Sequence, residues 1–372
     1  MTPTHATGHP KNVLIDTERS DFHALVVAVA LEARGNKVFR RFVSDYPGQA
    51  SMSFLYGRDR KDFLADYAGT RLRPDEVDVV WNRRPTLPAV PAGIARADAQ
   101  FVEEELRAAA SAFDAFLSHS VWINEKAAAE NAELKPVQLR EAHRCGLDIP
   151  ETLISNDPAD IRAFVGSRAR CVYKPLNAHV WEDGDRRTAT YTAAVTLDDL
   201  PADALLRAAP GIFQERIGKS FEVRAQFFGR HCAAIKIDTS SLPFGDLDWR
   251  SDQGRISSCE RIELPRNVYR ACCNLMARLG IVSGAFDFIV DESGRWVFLE
   301  VNQAGQFLFM EQWCPGLPVL DAFCQFVENV DWSFEYAEPR APLRVAEILA
   351  KPELLKQLEC DRRLLQAARA ET

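Results

Sequence analysis

The chain has 372 residues, 47% hydrophobic and 26% charged, with a formal net charge of −8. That length supports two or three domains with sizeable cores, and the acidic balance gives no electrostatic support for a nucleic-acid partner. No apolar run reaches membrane-spanning length and no basic-then-apolar leader opens the chain, so a cytoplasmic protein with no membrane partner is expected.

After a polar start, Asn12–Asp16 reads as a short buried strand. Phe22–Arg34 carries apolar residues at helical spacing and stops at Gly35. Strands are expected at Lys37–Phe42, Val77–Asn82 and Val121–Asn124, with a helix at Ala99–Ser118. Strands alternating with helices predict an α/β domain with a parallel sheet, placed at 11–120. A central lobe at 121–210 follows: a helix over Asn131–Cys145, a strand at Ile149–Ile154, a helix at Asp157–Phe164, a strand at Arg170–Lys174, a polar loop at 177–188 and a short helix at Asp198–Ala208. The last lobe, 211–335, is strand-rich: 211–217, 221–228 and 231–238, then a helix at 268–279. A hairpin of Ala285–Val290 and Trp296–Val301 closes around Asp291-Glu292-Ser293-Gly294. A charged helical tail fills 336–372, its helix at 339–369 open to a homodimer contact or to packing on the last lobe. The nine cysteines include no C-x-x-C pair and the seven histidines no metal-binding spacing, which predicts reduced thiols and no zinc site.

The hairpin carries the chemistry. Alternate strand residues share a face, so Glu300 and Asn302 point one way and the hairpin brings Asp287 beside them. Two carboxylates and an amide oxygen suit Mg²⁺, a hard ion that takes oxygen ligands and bridges to phosphates. Lys174 ends an apolar strand, where a cation can meet a phosphate. The strand Gly211–Ile217 presents Gln214, Glu215 and the apolar Ile217 to a nucleobase edge. Glu222 and Arg224, at spacing two, suit a ribose hydroxyl and a phosphate, with Lys219 as another partner for Glu222. Singly, each has a plain reading: a strand-end lysine, or a solvated β-face with paired charges.

Their order along the chain is the specific signal: Lys135, Lys174, Gln214-Glu215, Glu222-x-Arg224, Asp287, Glu300-x-Asn302. It resembles the ATP-grasp superfamily, whose two α+β lobes hold ATP between them. The resemblance implies that Lys135 and Lys174 contact phosphates, Gln214, Glu215 and Ile217 the adenine, Glu222 the ribose, and Asp287, Glu300 and Asn302 the Mg²⁺. A narrower likeness covers most of residues 12–330: the first strand and helix, Trp81-Asn82-Arg83-Arg84-Pro85, the segment from Asn131 to Asp157, Ala234–Asp238, Asp248-Trp249-Arg250 and Gly305–Phe309. These look like the microviridin-type ligases that cross-link ribosomal peptides into graspetides. Two positions depart from that pattern: Gln303 stands where Pro is common, and Asn82 where an aromatic is common.

The resemblance implies an ADP-forming ligase that activates Asp or Glu side chains of a precursor peptide as acyl phosphates and joins them to Thr or Ser hydroxyls or Lys amines. Arg250 is the first choice for gripping the anionic acyl substrate, Lys236 the second, and Arg224 would offset phosphate charge. Arg83 and Arg84 share that reading, or else bridge the N-terminal domain to the ATP-binding lobes. The peptide's leader is expected on the central lobe, near Trp181-Glu182-Asp183. The alternatives are a ligase of free amino acids or other small carboxylates, or of an amino acid onto a protein tail, and a nucleotide-binding scaffold without catalysis.

Overall fold

The structure is a computed structural model that describes residues 10–57, 61–67, 70–177, 180–183, 186–189, 192–239, 256 and 259–370. The first sheet is parallel, in the order Lys37–Arg41, Asn12–Asp16, Val79–Asn82, Val121–Ile123. Residues 50–72, to which the sequence reading gave no element, add an antiparallel sheet of Ala50–Tyr56, Lys61–Tyr67 and Thr70–Leu72. In its first strand Met52 and Phe54 alternate with exposed serines and pack against the parallel sheet's core.

The helix Phe22–Ala33 is buried at every position from His23 to Leu31. It is apolar all round because it is covered on two sides. The first sheet lies beneath it, and helices Val319–Glu328, Val345–Leu349 and Pro352–Ala370 lie above, in one shared core. The expected tail helix is thus two helices, broken where Pro352 lacks the N–H that would continue the first. It packs on the N-terminal helix instead of the last lobe alone.

A central antiparallel sheet runs Ala193–Val195, Cys171–Lys174, Gly211–Glu215, Thr152–Ser155. Its third strand opens the span assigned to the last lobe, yet it pairs within the central sheet. The polar loop at 177–188 is overturned in part, since Val180–Asp183 pairs with Arg186–Ala189. The expected helix Asn131–Cys145 is also two, Lys126–Glu133 and Lys135–Arg144, joined at Leu134, whose backbone is extended. Pro136, in the first turn, starts the second helix anew.

The largest sheet holds Glu260–Arg261, His231–Ile237, Phe221–Phe228, Ser283–Val290 and Trp296–Asn302. On one face Val223, Ala225, Phe227, Phe286 and Phe288 pack against helices Lys126–Glu133, Lys135–Arg144 and Arg266–Leu279. The polar residues Glu222, Arg224, Gln226 and Asp287 alternate with them and lie on the other face.

Candidate functional site

In the hairpin, Asp287 stands opposite Glu300 and Ala285 opposite Asn302, while Phe288 stands opposite Phe298. Leu299 is therefore an extra residue, a β-bulge. The bulge shifts the alternation by one. Phe298 and Val301, three apart, both reach the apolar core, and Glu300 and Asn302 share the face of Asp287.

Each acid meets a cation. Arg224 Nη1 donates to both Asp287 oxygens at 2.9 Å. Lys135 Nζ donates to Glu300 at 2.6 Å. The helix break at Leu134 is what puts Lys135 in a first turn beside the hairpin. Asn302 Oδ1 accepts the Ala304 N–H at 3.1 Å and so shapes the next turn. Among the described residues no three His, Cys, Asp or Glu side chains gather as a metal site. The Asp287–Glu300 pair and the Asn302 amide offer oxygen atoms only, the donor type that a hard divalent ion takes.

On the central sheet, Lys174 Nζ donates to Gln214 Oε1 at 3.0 Å, and Gln214 Nε2 donates to Thr152 at 2.9 Å. Glu215 closes its strand, its backbone N–H on the Glu151 carbonyl at 2.9 Å. Ile217 follows, half-buried. Glu222 pairs with Lys219, both side chains buried. The structure thus joins Lys135 with Glu300, Arg224 with Asp287, and Lys174 with Gln214. It separates Lys236 from them. Lys236 pairs in register with Val223, on the apolar face, and reaches Glu260 at 3.7 Å and the Phe221 ring at 4.9 Å. A residue one position from Ile235, which stands opposite Arg224, cannot share that residue's face. Arg250, with Asp248 and Trp249, lies outside the described residues.

Four residues that the sequence did not assign to the site hold it in place. Gln138, on helix Lys135–Arg144, accepts the Val301 N–H at 3.0 Å and donates to the Val301 carbonyl at 2.8 Å. It thereby pairs the free edge of the Trp296–Asn302 strand between Glu300 and Asn302. Asn124, past the last parallel strand, accepts from the Val282 and Ser283 N–H groups at 2.7 and 3.0 Å and donates to Ser283 at 2.9 Å. It also donates to the Gln303 carbonyl at 3.4 Å. Gly305 packs against Ala285 and Arg224. The fourth is Glu133, whose carboxylate lies near Gln303, Lys135 and Glu300 and whose pKa burial raises. None had a signal in periodicity or spacing.

Of the two arginines read in two ways, Arg83 is a bridge. Its guanidinium is buried, pairs with Asp21 at 3.1 Å, and donates to the carbonyls of Ala304 and Gly305 in the turn after the hairpin. Burial brings its pKa down to about 10, against the pull of Asp21. Arg84 stays at the surface, 3.5 Å from Glu18.

Residues 12–130 match the family described as the MvdD pre-ATP grasp domain. No curated protein matches the sequence. Among solved structures, the macrocyclase MdnC bound with precursor peptide MdnA, from Microcystis aeruginosa MRC, is similar at 27% identity with a TM-score of 0.74. The match covers 86% of this chain and 99% of that one. A Chryseobacterium gregarium RiPP-associated ATP-grasp ligase, in complex with ADP and a leader and core peptide, gives 22% identity and a TM-score of 0.77 over 90% and 99% of the two chains. The ATP-grasp ligase PsnB, complexed with a minimal precursor, Mg and ADP, gives 21% and 0.63 over 85% and 96%.

Proposed function

We infer that this chain, an ATP-grasp ligase most like the enzymes that form graspetides, cross-links a ribosomal precursor peptide at the expense of ATP. Side-chain carboxylates of Asp or Glu are activated as acyl phosphates, and Thr or Ser hydroxyls or Lys amines of the same peptide displace the phosphate, with ADP as the other product. The observation that carries this reading is the four-charge cluster of Asp287, Glu300, Arg224 and Lys135 on one sheet face.

Two carboxylates and two cations sum to zero, which is how such charges tolerate partial burial. Mg²⁺ held by Asp287, Glu300 and Asn302 would supply neutralisation of the phosphate oxygens. Arg224 and Lys135 are then positioned to turn from carboxylate to phosphate, joined by Lys174 from the central sheet. Phosphoryl transfer asks for this kind of positioning and charge matching, and for no side-chain nucleophile. Gln214, Glu215 and Ile217 take the adenine and Glu222 the ribose in the same assignment, with Arg250 on the acyl carboxylate. Lys236, on the opposite face, leaves it. The domain division of this reading is 11–120, 121–210, 211–335 and 336–372, with Val121–Ile123 counted to the first sheet and Gly211–Glu215 to the central one, where they pair. A cytoplasmic setting belongs to it as well, on nine free cysteines; no helix among the described residues is long and apolar enough to cross a membrane.

The test is to incubate the protein with ATP, Mg²⁺ and the peptide encoded beside its gene. One water lost from the peptide and one ADP formed per link are expected. Asp287→Asn or Glu300→Gln should lower ADP formation by about a hundredfold or more while the fold persists, and chelating Mg²⁺ should stop it. An unchanged peptide mass with no ADP would sink the proposal. ADP formed with free amino acids and an untouched peptide would transfer it to the small-substrate ligases.

A further inference from the structure

Residues 303–306 form the turn between the Trp296–Asn302 strand and helix Leu308–Trp313. Their carbonyls lie outside both elements and need partners from elsewhere. Side chains supply them for all four. Asn124 Nδ2 donates to the Gln303 carbonyl at 3.4 Å. Arg83 Nη1 donates to the Ala304 carbonyl and, at 3.4 Å, to that of Gly305. Arg224 Nη2 donates to the Gln306 carbonyl at 3.2 Å. Arg83 and Asn124 stand just past the ends of two paired parallel strands, Val79–Asn82 and Val121–Ile123. Arg224 belongs to the large sheet and holds Asp287 through its other nitrogen, Nη1. The turn is thus a strap, tied at one end to the N-terminal sheet and at the other to the arginine of the carboxylate face.

Arg83 is a costly way to fill this space. It is 1% exposed, and its Nη2 has no hydrogen-bond partner among the described residues. Burial lowers its pKa to about 10 against the pull of Asp21. An apolar side chain of similar volume would pack there at less cost. What the guanidinium adds is a grip on two successive carbonyls. Asp21, 3.1 Å from Arg83, aims that grip and is itself fixed. It caps helix Phe22–Ala33 through the Ala24 N–H at 3.1 Å and accepts from the Thr17 hydroxyl at 3.2 Å.

At the other end, the Arg224 guanidinium lies hard against the strap. A Cβ on Gly305 would come within 2.7 Å of Nη2. With Nη2 on Gln306, Nη1 can exchange Asp287 for a phosphate oxygen without the guanidinium leaving its place. The Gln306 carbonyl is then the pivot of that exchange, and the strap sets where the pivot stands. We propose that Arg83 is a positioning residue for phosphoryl transfer: by holding the Ala304 and Gly305 carbonyls it fixes the pivot on which Arg224 turns toward the phosphates. The N-terminal sheet thereby completes the ATP site. Asn302 is set by the same strap, since its Oδ1 accepts the Ala304 N–H at 3.1 Å. The role rests on the ligase reading above.

The test is a double-mutant cycle read by calorimetric binding of the non-hydrolysable ATP analogue AMPPNP, with Mg²⁺, to the full chain. Arg224→Lys keeps a charge for Asp287 and removes the nitrogen that reaches Gln306. If Arg83 acts through Arg224, Arg83→Gln should weaken AMPPNP about tenfold in the wild-type background and less than about twofold beside Arg224→Lys. A purely structural arginine would give the same factor in both backgrounds, and that result overturns the role, as does unchanged affinity in Arg83→Gln. Should Arg83→Gln fail to fold, Asp21→Asn takes its place in the cycle. Asparagine caps a helix as well as aspartate does, so this variant removes the charge that aims Arg83 and keeps the cap. Equal factors for Asp21→Asn in the two backgrounds overturn the role in the same way. The binding needs no peptide, so the two readings fail separately. A protein that links the peptide and shows additive effects in the cycle keeps the ligase activity and loses the role of Arg83.

Discussion

In the turn after the hairpin there is no room for a methyl group. A Cβ on Gly305 would lie 2.6 Å from the Ala285 Cβ, 2.7 Å from Arg224 Nη2 and 3.2 Å from the Asn302 carbonyl. Two of the three are on residues that shape the carboxylate face. Gly305→Ala should therefore cost about 1–3 kcal/mol of stability by overpacking, and should lower ADP formation further by displacing Arg224 from Asp287. Urea midpoints and ADP assays check both, with Gly57→Ala as control, since a Cβ there meets nothing within 4 Å. A wild-type midpoint and rate for Gly305→Ala would mean that the turn gives way freely. The shared face of Asp287, Glu300 and Asn302 was legible in the sequence from strand alternation, and Lys135 entered through the family resemblance. Gly305 was visible only as part of a motif, because the reason for it is a neighbour twenty residues upstream, Ala285, that no local pattern reports.

At the scale of elements, the hairpin illustrates what periodicity reaches and what it does not. Both strands and their turn could be read, as could the shared face of Glu300 and Asn302. The bulge at Leu299 could not, since a run of apolar residues looks the same with or without an extra member. Nor could the helix that caps the edge strand. Gln138 gives Val301 both a donor and an acceptor, as a sixth strand would, and it sits on a helix whose own break at Leu134 was missed. Gln138→Leu keeps the volume and removes the polar pair, leaving the Val301 N–H and carbonyl buried without those partners. A loss of about 1–3 kcal/mol is expected. Because Glu300 and Asn302 flank Val301, the Mg²⁺ concentration that half-saturates ADP formation should rise as well. A stability loss with an unchanged Mg²⁺ dependence would make Gln138 a structural cap and nothing more.

At the scale of the whole molecule, the two ends of the chain meet. Asp361, 4% exposed on helix Pro352–Ala370, accepts from Arg40 at 2.7 Å and Arg19 at 3.3 Å. Arg34 at the end of helix Phe22–Ala33 in turn binds Asp321 at 2.9 Å and Glu328 at 2.7 Å on helix Val319–Glu328. These ion pairs rim an apolar core shared by the parallel sheet, the Phe22–Ala33 helix, the Arg224 face of the large sheet at Phe228 and Ile235, and the tail. Sequence reading could place each helix but not this closure, because contacts more than three hundred residues apart leave no local trace. Elements that share this core are expected to unfold together. Asp361→Ala takes a carboxylate from Arg40 and leaves Arg19 with that of Asp45, both arginines nearly buried at 13% and 12% exposed, and removing one partner of a buried network costs about 3 kcal/mol. That loss should appear as a lower urea midpoint for the elements of this core. Hydrogen exchange should quicken together in helix Phe22–Ala33 and in the Phe221–Phe228 strand, far from the substitution. If the tail alone exchanged faster, with the N-terminal helix still fully protected, the tail would be an appendage, and the Arg83 bridge from Asp21 to the Gly305 turn and the Asn124 bonds to Ser283 and Gln303 would be left to couple the N-terminal sheet to the carboxylate face.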